Sequence, residues 1–212
     1  MKKVRKRTKL LGRGEEELDF LCHQPARNTA AEARNIMPKV RLNIKHASGQ
    51  TQGVDIEVHP EWAPLGAARF LDLVDDRYFD ECRLYRMVPD FIVQWGIPSK
   101  PELWNKWGMN KIQDDPVSKT NAAGTLSFAT SGPDARGSQI FVNFVDNGSM
   151  LDGQGFAPFA ELCDKKKGLA FLSACNEIKG IDQAAFKQAG NQYLEKHNFK
   201  ADLSYIESAE RI

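Results

Sequence analysis

What this chain of 212 residues lacks narrows its class first. No apolar run approaches the roughly 18 residues of a membrane-spanning helix, so a membrane role is not expected. The four cysteines, Cys22, Cys82, Cys163 and Cys175, form no CxxC pair. That spacing speaks against a zinc or redox motif, and free thiols in a reducing compartment are expected. No apolar h-region follows the basic start, so no secretory leader is expected. Net charge is only +1, so no global field draws the chain to nucleic acid or to a membrane surface. There is no GxSxG, no Walker loop, no GxGxxG after a strand and no HExxH. The four histidines, His23, His46, His59 and His197, are not paired with a nucleophile. A metal site at His46 and His59, across one hairpin, would need further ligands. No cofactor and no metal is expected. The adjacent acids Asp114 and Asp115 read as a solvated turn.

With 42% hydrophobic and 27% charged residues, the chain has the composition of an ordinary soluble domain with one core. Its opening, MKKVRKRTKLLGR, carries seven basic residues and no acid, and EEELD follows at Glu15–Asp19. Residues 1–37 show neither alternation nor sustained helical periodicity and are expected to form a disordered arm. The basic block also admits a nuclear-localisation signal or a nucleic-acid tether. The neighbouring acids argue against a transit peptide. A cytoplasmic or nuclear location is expected, with organellar import left open.

Residues 38–212 read as the folded domain. Val40, Leu42 and Ile44 alternate with polar residues, as do Val54, Ile56 and Val58, and SGQTQG (Ser48–Gly53) supplies a turn between them. Pro64 suits the first turn of a helix whose apolar face would be Ala67, Phe70, Leu71 and Val74. Strand-like runs follow at Leu84–Val88, Phe91–Trp95, Thr125–Thr130 and Gln139–Val145, punctuated by Gly and Pro. Asp182 can cap a second helix with Phe186, Ala189, Tyr193 and Leu194 on one face. Many short strands with two helices predict a mostly antiparallel β-barrel or sandwich with helical covers.

Three segments carry aromatic and polar residues together: LYRMVPDFIVQWG (Leu84–Gly96), GTLSFATSGPDARGSQIFVNF (Gly124–Phe144) and MLDGQGFAPFAEL (Met150–Leu162). A permanent cation, Arg86, inside the first is the oddest feature, because a strand arginine would otherwise snorkel to a surface. Tyr85-Arg86, Pro89, Phe91 and Gln94, then Gly137-Ser138-Gln139-Ile140-Phe141, then Leu151-Asp152 and Phe159-Ala160 resemble the cyclophilin family of peptidyl-prolyl isomerases. The resemblance runs from about Pro38 to the end of the chain. GFAPF (Gly155–Phe159) and LSYIESAERI (Leu203–Ile212) mark a divergent branch.

The resemblance implies a closed eight-stranded antiparallel β-barrel capped by two α-helices. It implies catalysed rotation about X–Pro bonds in proline-containing peptides and folding proteins, by a monomer. Arg86 and Gln94 would be catalytic, with Arg86 donating to the proline nitrogen of the twisted amide and Gln94 orienting it. Phe91, Ile92, Phe141 and Leu151 would line the proline pocket. Gln139, Ala129 and Thr130 would clasp the peptide upstream, and Tyr85 would supply an aromatic wall and a hydroxyl. Many members have His where Tyr85 stands and Asn where Thr130 stands. Met150 falls where cyclosporin binders carry Trp, so at most weak cyclosporin binding is expected. Phe156 takes the place of a family His. A proline-peptide binding module with little isomerase activity is the alternative.

Overall fold

The computed structural model describes residues 37–212, so the expected arm and its tether or localisation roles lie outside the described residues. The first hairpin follows the predicted alternation. Strand β1 (Lys39–Lys45) pairs antiparallel with β2 (Thr51–Val58), and Val40, Leu42, Ile44, Val54, Ile56 and Val58 all point into the core. Helix α1 (Pro64–Asp75) buries Ala67, Phe70, Leu73 and Val74, with Leu71 half-buried at the margin.

Helix α1 has no capping side chain of its own at Ala63. Asp115 supplies the cap from a distant loop, accepting from the backbone N–H groups of Leu65 (3.0 Å) and Gly66 (2.8 Å). A carboxylate there satisfies orphan donors and complements the helix dipole. Asp115 is thus buried, and the solvated turn expected at Asp114-Asp115 is corrected.

The rest of the sheet is short-stranded: β3 (Cys82–Arg83), β4 (Arg86–Val88), β5 (Ile92–Trp95), β6 (Thr125–Phe128), β7 (Ile140–Asn143), β8 (Pro158–Leu162) and β9 (Tyr205–Arg211). Among the described residues, nine strands form one antiparallel sheet in the order β3-β9-β1-β2-β8-β6-β7-β5-β4. The two end strands, β3 and β4, are not paired with each other; Leu84 and Tyr85 join them. The closed eight-stranded barrel is therefore corrected to a nine-stranded, incompletely closed one.

The helical covers also differ from two. After α2 (Pro101–Leu103), continued by a π-helical turn, come α3 (Gly148–Leu151) and α4 (Lys165–Leu172), the latter capped by Asp164. The helix expected from Asp182 starts there, with the Asp182 carboxylate accepting from Ala184 and Ala185 N–H. It then splits into α5 (Gln183–Ala189) and α6 (Asn191–Lys196). Gly190 makes the break: its φ is +57°, and a Cβ there would stand 2.3 Å from the Ser99 carbonyl oxygen. The main core fills the barrel interior, and Phe186, Tyr193 and Leu194 form a second apolar cluster with Tyr85, Ile97 and Leu203. His46 stacks on Phe171 and His59 on Trp62, each on its own aromatic neighbour.

Candidate active site

The site grows from the β4–β5 hairpin. Its turn, Val88-Pro89-Asp90-Phe91, is closed by Phe91 N–H donating to Val88 C=O at 3.1 Å. Pro89 presets the second position, and Asp90 adopts φ +56°, the left-handed conformation that position of a type II turn requires. The turn fixes the register: Arg86 faces Gln94, and Gln94 faces Phe141 on β7. Directly paired residues share one face of a sheet, so the cation, the amide and the ring stand side by side. Val93, Trp95 and Val142 alternate onto the opposite face, into the main core.

On the outer face, Ile92, Phe141 and Leu151 form a third apolar cluster, and Phe91, Ala129 and Phe156 pack against it. Phe156 meets Phe141 edge-on, with centroids 5.7 Å apart. These six residues come from four separate stretches of chain and close into one shallow apolar dish. Arg86 borders the dish through strand pairing, and its Nη1 donates to Gln94 Oε1 at 3.0 Å. Among the described residues this guanidinium meets an amide oxygen and no carboxylate.

Gln94 is 6% exposed. Its Nε2 donates to Tyr85 Oη (2.7 Å) and to Gln139 Oε1 (3.3 Å), and Tyr85 Oη in turn donates to Gln139 Oε1. Arg86, Gln94, Tyr85 and Gln139 therefore form one connected hydrogen-bond set. Tyr85 differs from expectation: it is 2% exposed, so its ring is no wall of an open groove. The ring packs edge-on against Phe186 of α5, 5.8 Å between centroids, and only the hydroxyl reaches the site. Burial pushes its phenol well above the ordinary range, so it stays protonated. Thr130 is half-buried, and its Oγ1 bonds to the backbone of Gly132, while Ala129 N–H donates to Gln139 C=O at 2.9 Å. Met150 is 55% exposed on α3 and does not join the dish.

A layer the sequence reading missed lies behind the dish. Asn121 donates to Asp152 Oδ1 (2.7 Å) and to the Phe156 carbonyl (2.7 Å), and accepts from Ser127 (2.8 Å) and Asn143 (3.2 Å). Asn143 accepts from Asn147 at 2.9 Å, and Asn147 also donates to the Phe91 carbonyl at 3.0 Å. Both lips of the dish, Phe91 and Phe156, are thus tied to one buried amide network. The one available signal was Asn143, a poor strand former inside an apolar run. A cavity of about 390 Å³ bordered by Lys45, His46, Arg83, Lys200 and Tyr205 shares none of these residues.

Fold and site define a β-barrel protein with an apolar dish beside a guanidinium that, among the described residues, meets no carboxylate. Comparison with known proteins agrees. The family model for "Cyclophilin type peptidyl-prolyl cis-trans isomerase/CLD" matches residues 41–190. A "Peptidyl-prolyl cis-trans isomerase-like 3" of Gibberella zeae is 32% identical over 124 residues, 54% of this chain and 70% of that protein. One of the same description from Neurospora crassa is 37% identical over 106 residues, 46% of this chain and 63% of that protein. A Cryptosporidium parvum cyclophilin-type isomerase structure shares the fold, with a TM-score of 0.59, 19% identity, and coverage of 84% of this chain and 98% of that one. A second structure of that parasite protein was determined in the presence of the dipeptide Ala-Pro. The chain belongs to the cyclophilin-type peptidyl-prolyl cis-trans isomerase family.

Proposed function

We propose that the chain binds exposed X–Pro segments of peptides and folding proteins across this dish and speeds their rotation through Arg86. The barrier is roughly 18–20 kcal/mol, because rotation breaks amide resonance. No nucleophile, acid or metal is required to lower it. The site must favour the twisted amide over both planar forms. In the twisted state the proline nitrogen turns pyramidal and regains a lone pair. A donor fixed beside that nitrogen stabilises this state alone, and an apolar surround strengthens the bond.

The observation that carries this reading is the placement of Arg86. Gln94 fixes its guanidinium by one hydrogen bond, and the apolar residues Phe91, Ile92, Phe141 and Leu151 gather beside it. The dish suits the proline ring, and the Ala-Pro dipeptide used with the parasite relative is ligand chemistry of this kind. Ala129, Thr130 and Gln139 line the edge where upstream peptide would lie. Met150, exposed and apart from the dish, supports at most weak cyclosporin binding.

The test is a protease-coupled isomerisation assay on a short X–Pro peptide. Arg86→Ala is expected to lower kcat/KM about 100- to 1,000-fold, the usual cost of removing one preorganised donor. Equal rates for wild type and variant would sink the reading. If peptide still binds wild type but no isomerisation is seen, the chain is a proline-peptide binding module.

A further inference from the structure

We propose that Tyr85 is a positioning residue: its buried hydroxyl braces the Gln94 amide that holds Arg86 and hands the orientation of that amide on to Gln139, and so sets the direction of the donor offered to a bound peptide. This rests on Arg86 being the donor to the twisted amide.

The argument is one of hydrogen-bond direction. A guanidinium has donors only. Gln94 must therefore turn its Oε1 to Arg86, which leaves its Nε2 facing Tyr85 and Gln139. Tyr85 Oη accepts that proton and has one of its own to give, and Gln139 Oε1 receives it. Gln139 Oε1 is then committed inward twice, and its Nε2 is left to point outward. An outward Nε2 is a donor, so it matches a peptide carbonyl and rejects an N–H. One hydroxyl thus converts the fixed polarity of Arg86 into a fixed polarity at the far side of the groove.

The ring that carries this hydroxyl is held by the C-terminal helices. Tyr85 shares its cluster with Phe186 and Ala185 of α5, Tyr193 and Leu194 of α6, and Ile97 and Leu203. Tyr193 Oη in turn accepts from Asp182 N–H at 2.8 Å, tying the helix pair together. The helix pair is thereby the back wall of the site. The charged or titratable groups around the Tyr85 phenol are Cys82, Arg86, Tyr78 and Tyr193. Burial raises Cys82 to about 12 and Tyr78 well above its ordinary value, so neither changes charge near neutrality.

Tyr85→Phe keeps the ring and deletes the relay. A merely structural loss would reduce the folded fraction and leave KM alone. The relay predicts a roughly tenfold fall in kcat together with a several-fold rise in KM, at an unchanged folded fraction by circular dichroism. Values within twofold of wild type for both constants would overturn the proposal. Should Tyr85→Phe fail to fold, Gln139→Glu decides, because it keeps inward acceptors and replaces the outward donor. It should raise KM about tenfold and lower kcat less; a KM within twofold of wild type would overturn the proposal. Arg86→Ala, run alongside, separates the levels: if it loses activity while Tyr85→Phe does not, only the relay fails, and if Arg86→Ala is fully active, the underlying reading fails.

Discussion

Arg86, on β4, and Arg136, four residues before β7, are held in opposite ways. Arg136 is 2% exposed and lies in a knot of acids: Nη1 donates to Asp115 at 3.0 Å, Nε lies 3.0 Å from Asp114, and Nη2 donates to the Gln113 carbonyl. Its charge is neutralised where it stands. Among the described residues Arg86 is held by the neutral amide of Gln94 and by no carboxylate, which leaves its charge unneutralised there. The polar groups around it, Gln94, Tyr85 and Gln139, and the amides behind the dish, Asn121, Asn143 and Asn147, are likewise neutral, with Asp152 the acid they meet. Paired with carboxylate the side chain is structural; oriented by an amide it is left for the chemistry proposed for it.

Arg136→Ala should break the comparison hardest. It strands Asp115, buried at the N-terminus of α1, without its cation. The expected loss is about 3–5 kcal/mol in denaturant unfolding, as for one partner of a buried pair. Arg86→Ala should lose activity while moving stability far less. If Arg136→Ala costs under about 1 kcal/mol, the knot is not what the burial implies.

That contrast was only half legible in the sequence. The turn residues Pro89-Asp90 are a local signal, but the partnership of Arg86 and Gln94 was named through the resemblance, because neither of their strands alternates. The gathering of Phe91, Ile92, Phe141 and Leu151 was named through the resemblance, not through periodicity. Arg136 gave no sign of its role, because its partners Asp114 and Asp115 resemble any polar turn until the chain folds back 21 residues. Tyr85 was misplaced for a related reason. Whether an aromatic residue faces a groove or a helix is decided by what packs on it, here α5 and α6 from 100 residues away. The split at Gly190 was equally hidden, since what forbids a side chain there is the Ser99 carbonyl.

Asn121→Ala sharpens the neutral side of the comparison. Asn121 spends both donors and both acceptor positions inside the protein, so its removal leaves Asn143, Ser127 and the Phe156 carbonyl short of a partner. The expected cost is about 1–3 kcal/mol of stability. Because the network holds Phe156 and, through Asn143 and Asn147, Phe91, the dish should loosen and KM for an X–Pro peptide should rise with it. A variant equal to wild type in both measurements would show that the network is idle.

The smallest expected effect concerns Asp152, the one acid in that neutral network and the neighbour of Leu151 in the dish. Burial pushes its carboxyl up, but hydrogen bonds from Thr120 Oγ1 (2.6 Å) and from the side chain (2.7 Å) and backbone (3.0 Å) of Asn121 outweigh it, leaving it below the ordinary 3.8. A carboxyl lowered in the folded state contributes stability that is fully present above its unfolded value and lost as pH falls through its folded value. The loss should therefore appear below about pH 4 and amount to under about 1 kcal/mol once solvent screening is allowed for. Asp152→Asn should flatten that part of the stability curve, because an amide does not titrate. The same acid range should broaden the ring resonances of Phe141 and Phe156 in wild type but not in the variant. Identical acid limbs for the two proteins would mean that Asp152 is solvated in solution and that the network behind the dish is wholly neutral, which would draw the contrast with the Arg136 knot more sharply still.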